Sequence, residues 1–360
     1  MGAPSGFPPA VEQGSALWLT SSRGGLHAGP APVRIPGPTE LVVKVRAVAL
    51  NPIDAMNGIA RRVVLPWLRF PAVLGSDVAG EITAVGAGVT DFAPGDRVVG
   101  YAVGIEKSRN TPAEGAFQTH VTLMEHLCSR IPDTVSFEQA CVLPLALTTA
   151  AAGLFEHDQL ALELPRHTPP ERAETVLVFG GATSVGMNAI QLARNAGYRV
   201  MATSSPANAE ALTTLGASSV LDYHAPRLVS RIVDELGGRP LAGTLAVASG
   251  SLPDAVAVNG SPAVTGTRRV ASAHPTPVTA LRAALARRRG VAVTAIWGAT
   301  PKDTSVGPAI WRDFLQDALT DGRYRPAPEP VVVGHGLDDI PAALARLRQG
   351  VHASKLVVTV

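Results

Sequence analysis

The sequence predicts an α/β protein of two domains, a small β-barrel made of short strands joined to a doubly wound parallel sheet. Three observations carry this expectation. Residues 175–197, TVLVFGGATSVGMNAIQLARNAG, pass from a strand period to a helix period across two glycines. Residues 1–137 read as short strands broken by glycine and proline, the punctuation of a compact barrel. A chain of 360 residues also exceeds the commonest single-domain size and has ample material for a core.

In chain order, residues 1–40 are rich in Gly, Pro and Ser, with a strand expected at 16–20. LVVKVRAVAL at 41–50 alternates as a half-buried strand does, and Asn51-Pro52 ends it. Strands come next at 78–85 and 96–103, separated by the turn-rich GAGVTDFAPGD, and GAFQTHVTL at 115–123 is another. The longest apolar stretch, residues 140–155, contains Pro144 and two threonines and is too short to span a bilayer.

Val176 to Phe179 then form an apolar run suited to a strand covered on both faces. Gly180 and Gly181 permit a sharp turn, after which Val185, Ala189, Leu192 and Ala196 recur at helical spacing until Gly197. Such a turn offers the free N–H groups of a helix start to a pyrophosphate, so Gly181, Ala182, Thr183, Ser184 and Val185 are the candidate cradle. The spacing is G-G-x-x-x-x-G, with Ser184 where a middle glycine would stand, and a purely structural glycine turn explains it equally well. A second strand at YRVMAT, a helix at 207–215 and a third strand at 220–222 complete a βαβαβ half-fold, which favours the nucleotide reading.

Composition narrows the function classes. With 46% hydrophobic and 17% charged residues the chain is globular, and a formal charge of +2 gives no reason to expect nucleic acid. Only Lys44, Lys107, Lys302 and Lys355 are lysine among 31 basic residues. Cys128 and Cys141 are too few for a disulfide framework or a four-cysteine zinc site. The opening MGAPSGFPPA lacks the basic start and apolar core of a signal peptide, so a cytoplasmic protein with no membrane partner is expected.

The order of NPID (51–54), PAVLGSDVAGEITAVGAGV (71–89), FAPGDRVVG (92–100), GAFQTHV (115–121), the glycine turn and the closing SKLVV (354–358) resembles the medium-chain dehydrogenase/reductase superfamily across nearly the whole chain. The resemblance implies a GroES-like barrel from residues 1–137, a Rossmann domain inserted at 138–298, and a return segment, 299–360, completing the barrel. A nicotinamide cofactor would lie in the cleft between them. Where zinc members of the superfamily have a cysteine, this chain has Asn51-Pro52; where they have Gly-His-Glu, it has Gly75-Ser76-Asp77. The structural-zinc lobe is replaced by residues 102–114, without cysteine, and His120, His126, His157 and His167 fall at no ligand spacing. No metal is expected.

Within the zinc-free branch, GGATSVG, the Ser-Pro-x-Asn after the second strand and LPLALTTAAAGLF look most like enoyl reductases that act in trans beside polyketide synthases, with quinone oxidoreductases as the neighbouring group. Both add hydride to the carbon β to a carbonyl and need a donor for the developing enolate. A lysine common after Asn-Pro-x-Asp in the enoyl reductases is absent here, where Ala55, Met56 and Asn57 stand.

At the cofactor end, the second strand closes on Thr203, Ser204 and Ser205, with Asn208 beyond and no Asp or Glu to repel a 2′-phosphate, so NADPH is the expected cofactor. A helix cap explains the same serines. By resemblance Tyr223 lies near the adenosine phosphate, Asn51 near the nicotinamide ribose, Thr149 (or its neighbour Thr148) faces the cleft, and Lys355 reaches the cofactor from the barrel side. Asn51 and Thr149 are the candidate catalytic residues. The basic runs Arg268-Arg269 and Arg287-Arg288-Arg289 read as solvated faces or as a dock for an acidic acyl carrier protein of a polyketide synthase.

These readings leave an NADPH-dependent ene-reductase acting on a small or carrier-bound substrate in secondary metabolism. A quinone, carbonyl or imine reductase and a non-catalytic NADPH-binding protein stay open, as do monomer and homodimer.

Overall fold

The structure, a computed structural model, describes residues 13–273 and 277–360, with side chains of 277–281 left aside; the opening decapeptide lies outside the described residues. The first half supplies strands β1 (Gln13–Leu19), β2 (Leu26–Pro32), β3 (Glu40–Ala49), β4 (Ala72–Val73), β5 (Asp77–Val85), β6 (Arg97–Tyr101), β7 (His120–Met124) and β8 (Cys128–Arg130), with helix α1 (Gly58–Val64) in between. β3 is the hub, antiparallel to β5 on one side and to β7 on the other. The strand expected at 115–123 forms only from His120, because Phe117 N–H bonds Leu74 O and Gly115 sits against the Val73 carbonyl, which holds 115–119 as an irregular crossing.

Two helices, α2 (Phe137–Ala140) and α3 (Pro144–Phe155), lead out of the barrel. Pro144 stands in the first turn of α3, where its missing N–H costs nothing. The apolar stretch noted above is therefore a core helix: ten of the twelve residues of α3 are buried, packed between barrel residues such as Ala47 and Val99 and the second half.

The second half alternates strands β9 (Thr175–Phe179), β10 (Arg199–Ser204), β11 (Ser219–Asp222), β12 (Leu241–Ala246), β13 (Arg269–Ser272) and β14 (Ala292–Ala295) with helices α4 (Ser184–Asn195), α5 (Ala209–Thr214), α6 (Leu228–Leu236), α7 (Leu252–Asn259) and α8 (Pro277–Arg287). All six strands run parallel in the order β11-β10-β9-β12-β13-β14. The order reverses between β9 and β12, and ligands of open α/β sheets bind outside the carboxyl ends of strands at that point.

The return segment, residues 299–360, packs on both halves before it re-enters the barrel sheet. Helices α9 (Val306–Ile310) and α10 (Gln316–Thr320) join the core that α3 shares with the nucleotide half. Three polar side chains of α4 pin the stretch beyond α10: Asn188, Gln191 and Asn195 donate to the carbonyls of Ala327, Arg325 and Arg323 at 3.2, 3.0 and 3.2 Å. The chain rejoins the barrel sheet only at β15 (Glu329–His335), passes through α11 (Ile340–Arg348), and ends in β16 (Ser354–Thr359) beside β3.

Candidate active site

Two sets of candidate residues stand out, one on the parallel sheet and one inside the barrel. The first is the turn after β9. Gly180 has φ +90°, a conformation that favours glycine, and a Cβ there would strike Ala248 beyond β12 at the switch point. Gly181 is small for a different reason: a Cβ would meet Ala202 and Leu212 at 2.9 Å, so it lets β10 and α5 close on the turn. Thr183, the N-cap of α4, takes the Gly186 N–H on Oγ1 at 3.0 Å and donates that hydroxyl to Gly180 O at 2.8 Å. Among the described residues the N–H groups of Ala182, Ser184 and Val185 meet no acceptor. These partly accessible donors at a helix start fit a pyrophosphate.

At the end of β10, Asn208 Nδ2 donates to Ser204 Oγ at 3.2 Å and to Ser205 Oγ at 2.9 Å. Both hydroxyls therefore keep their own protons to give to a ligand. Tyr223 lies alongside, its N–H on Ser204 O and its half-exposed ring tilted against His224 at 4.2 Å. The carboxylate in register with Ser204 is Asp222 on β11, and one of its oxygens accepts the His224 N–H.

The second set is polar and interior. Asn51, Asp54, Asp77 and Lys355 are 3%, 2%, 0% and 5% exposed, and their mutual bonds explain how four such groups tolerate burial. Lys355 Nζ donates to Asn51 Oδ1 at 2.6 Å and lies 3.0 Å from Asp77 Oδ2. Asn51 Nδ2 donates to the same Asp77 oxygen at 2.8 Å, and the Leu145 N–H, in the first turn of α3, reaches Asp77 Oδ1 at 2.6 Å. Asp54 accepts the N–H groups of Asn51 and Gly75 at 2.9 and 3.2 Å. Burial, opposed by the Asn51 N–H and assisted by the charge of Asp77, pushes the Asp54 carboxyl up to about 7. Tyr101, whose Cα is paired with that of Asp77, is buried beside this set, and burial followed by the charges of Glu106, Asp77 and Asp54 drives its phenol up.

Of the expected site residues, Lys355 and Asn51 are thus in one cluster. Thr149 is one helical turn beyond Leu145, its hydroxyl donating to Leu145 O at 2.7 Å and packed under Gly298, where any Cβ would collide with it. Thr148 is fully buried and bonded to Pro144 O, so Thr149 is the more accessible of the two threonines. Sequence reasoning missed Asp54 and Asp77 as partners. Their signal was an acid at the head of an apolar strand and a lone lysine directly before LVV at 356–358, each of which requires a buried counterpart. Among the described residues no group of three His, Cys, Asp or Glu side chains is placed to hold a metal ion.

A barrel with a polar interior cluster, joined to a doubly wound sheet with open N–H donors at its switch point, defines the class of two-domain nicotinamide-dependent oxidoreductases. The chain belongs to the medium-chain dehydrogenase/reductase superfamily. Residues 37–133 match the alcohol dehydrogenase GroES-like domain. It is 42% identical over 335 residues to dehydrogenase azaJ of Aspergillus niger, covering 91% of this chain and 94% of the relative. Trans-enoyl reductase himH of Aspergillus japonicus is 33% identical over 350 residues, 96% and 97% of the two chains. Among solved structures, mycobacterial Rv1454c complexed with NADPH superposes with a TM-score of 0.68 at 27% identity, covering 96% of this chain and all of that one. The quinone oxidoreductase of Pseudomonas syringae, at 24% identity and TM-score 0.71 over 96% and 100%, shares the fold.

Proposed function

We propose that the protein is an NADPH-dependent, metal-independent reductase of activated carbon–carbon double bonds, acting in the cytoplasm on a small or carrier-bound substrate of secondary metabolism. The Asn51–Asp77–Lys355 cluster carries the reading. A buried ammonium already balances Asp77, and both carboxylate oxygens and Asn51 Oδ1 are engaged, so a cation would find no unshared donor set there. The cluster keeps two unspent donors, the third Nζ proton of Lys355 and the second amide proton of Asn51. The name of himH as a trans-enoyl reductase and the NADPH in Rv1454c support the same choice of reaction and cofactor.

The bound nicotinamide would supply the hydride. The Ala182, Ser184 and Val185 N–H groups and the positive end of α4 hold the pyrophosphate, while the Ser204 and Ser205 hydroxyls meet the 2′-phosphate. Lys355 and Asn51 orient the ribose and offer charge-assisted hydrogen bonds to an oxygen that gains negative charge. Thr149 positions the segment after β14 through Gly298 and adds a donor if its proton leaves Leu145 O. Conjugate reduction suits such a site, because it needs hydride positioning and donors to an enolate rather than a Lewis acid.

The carrier-bound alternative is supported by Arg268, Arg269 and Arg287 to Arg289. Arg268 Nη1 lies 3.4 Å from Arg289 O, which brings both runs to the amino ends of β13 and β14, the far end of the sheet from the switch-point turn, and none of the five makes an ion pair among the described residues. An acidic carrier fits that face.

The test is NADPH oxidation against enones, enoyl thioesters, quinones and imines, and then 4-deuterated NADPH with the best substrate. Label at the β carbon is expected; label on a carbinol carbon makes the protein a carbonyl reductase, and no turnover with any of the four classes refutes the enzymatic reading.

A further inference from the structure

Two tryptophans from opposite halves meet over this junction. Trp67, in the turn after α1, and Trp297, two residues after β14, stand edge to face with ring centroids 5.7 Å apart and planes at 73°. Consecutive residues of one loop tie both indoles: Trp67 Nε1 donates to Ile105 O at 3.0 Å and Trp297 Nε1 to Glu106 Oε2 at 2.9 Å. The loop itself is braced. Asn110, at φ +47°, donates to Trp67 O at 2.7 Å and accepts the Arg69 N–H, and Arg109 is paired with Glu114 and Glu40. With both N–H groups spent on the protein, the surface that Trp297 leaves open, 36% of the residue, offers no ring donor, while Trp67 is partly buried against the barrel core and backs it.

The pair is attached to the site on both sides. Trp297 precedes Gly298, which rests on Thr149, and the loop that holds the indoles comes after Tyr101, the strand partner of Asp77. Glu106 is 4% exposed, and burial, countered by the Trp297 bond and Lys302, raises its carboxyl above the usual range. That leaves an aromatic, pre-organised wall whose chain runs directly into Gly298 and its contact with Thr149.

We infer that Trp67 and Trp297 form a clamp that selects planar conjugated substrates, aryl or polyene acyl chains, over short saturated ones. A flat π-system stacks on rigid rings with little entropy cost, whereas a small aliphatic chain leaves them wet. The inference deepens the proposed reaction and rests on it for turnover, though not for binding.

The test uses the NADP⁺-loaded protein with two ligands, benzylideneacetone and 3-penten-2-one, the same enone with a phenyl or a methyl at the β carbon. Calorimetric titration should show the aryl ligand bound at least tenfold more tightly, and Trp297→Leu or Trp67→Leu should remove that preference. The ratio of kcat/KM for the two enones should fall by the same factor. Trp297→Phe, which keeps a ring and loses only the Glu106 bond, should retain most of the preference and guards against a leucine variant that does not fold. Equal affinity for both ligands in the unmodified protein, or an unchanged preference in either folded leucine variant, overturns the clamp. Selective binding without turnover instead sinks the reductase reading and leaves the clamp standing.

Discussion

Lys355 and Asp77 face each other at 3.0 Å with side chains 6% and 0% exposed, one from the last strand and the other from the head of β5. Burying a charge pair is no guarantee of net stability, yet removing one member leaves the other uncompensated. Lys355→Met is expected to destabilise the fold by about 3–5 kcal/mol, the range for breaking a buried pair. Urea denaturation measures it, and a loss below about 1 kcal/mol would show that the pair is not desolvated as described.

Asp54 sets a pH dependence. Between about pH 4 and pH 7 the folded protein holds a proton on Asp54 that the unfolded chain has released, since its folded value is about 7 against an ordinary value of 3.8. Stability from this group is therefore complete below pH 4 and is lost as pH rises to 7, by at most about 4 kcal/mol for a shift of this size. Asp54→Asn should flatten that slope while lowering stability overall, because one amide oxygen replaces two acceptors for the Asn51 and Gly75 N–H groups. Denaturation at pH 5 and pH 7.5 compares the two proteins; parallel pH profiles would refute the assignment.

Cofactor choice is tested at Ser204. Its hydroxyl accepts from Asn208 and keeps a proton to donate, so under the proposed NADPH reading Ser204→Asp exchanges a donor for a like charge facing the 2′-phosphate. NADPH affinity should drop by about 1–3 kcal/mol while NADH is little changed. Fluorescence titration with both cofactors decides; equal affinities in the unmodified protein would remove the basis for the preference.

Gly186→Ala probes the turn. A Cβ at this position would overlap the Gly180 carbonyl and crowd Gly181, both backbone that cannot swing away. The variant should lose cofactor binding by at least about tenfold, the effect of a misplaced helix start, or fail to fold. Wild-type affinity in a folded Gly186→Ala protein would mean that the pyrophosphate sits elsewhere.

Thr149→Val removes a hydroxyl that now donates to Leu145 O. Since a catalytic bond would have to exchange that acceptor for the substrate, turnover should fall by about 10-fold, at the lower end of losses for an oriented donor. Steady-state kinetics with NADPH held saturating would read it as a fall in kcat; an unchanged kcat assigns Thr149 to packing under Gly298 alone.

What the sequence determined by itself was local or periodic: the switch from strand to helix at Gly180-Gly181, the parallel half after it, the short barrel strands and the neutral end of β10. Each is written in spacing or in a residue type that few conformations accept. The tertiary structure alone decided what anchors residues 323–327, because Asn188, Gln191 and Asn195 reach carbonyls more than a hundred positions away. It alone joined Asn51 to Lys355 across 304 positions and brought Trp67 to Trp297. Such contacts leave no period in the chain. They arise when a buried charge must find its counterpart and when two halves of the chain pack on a shared core, and only three-dimensional packing chooses the partner.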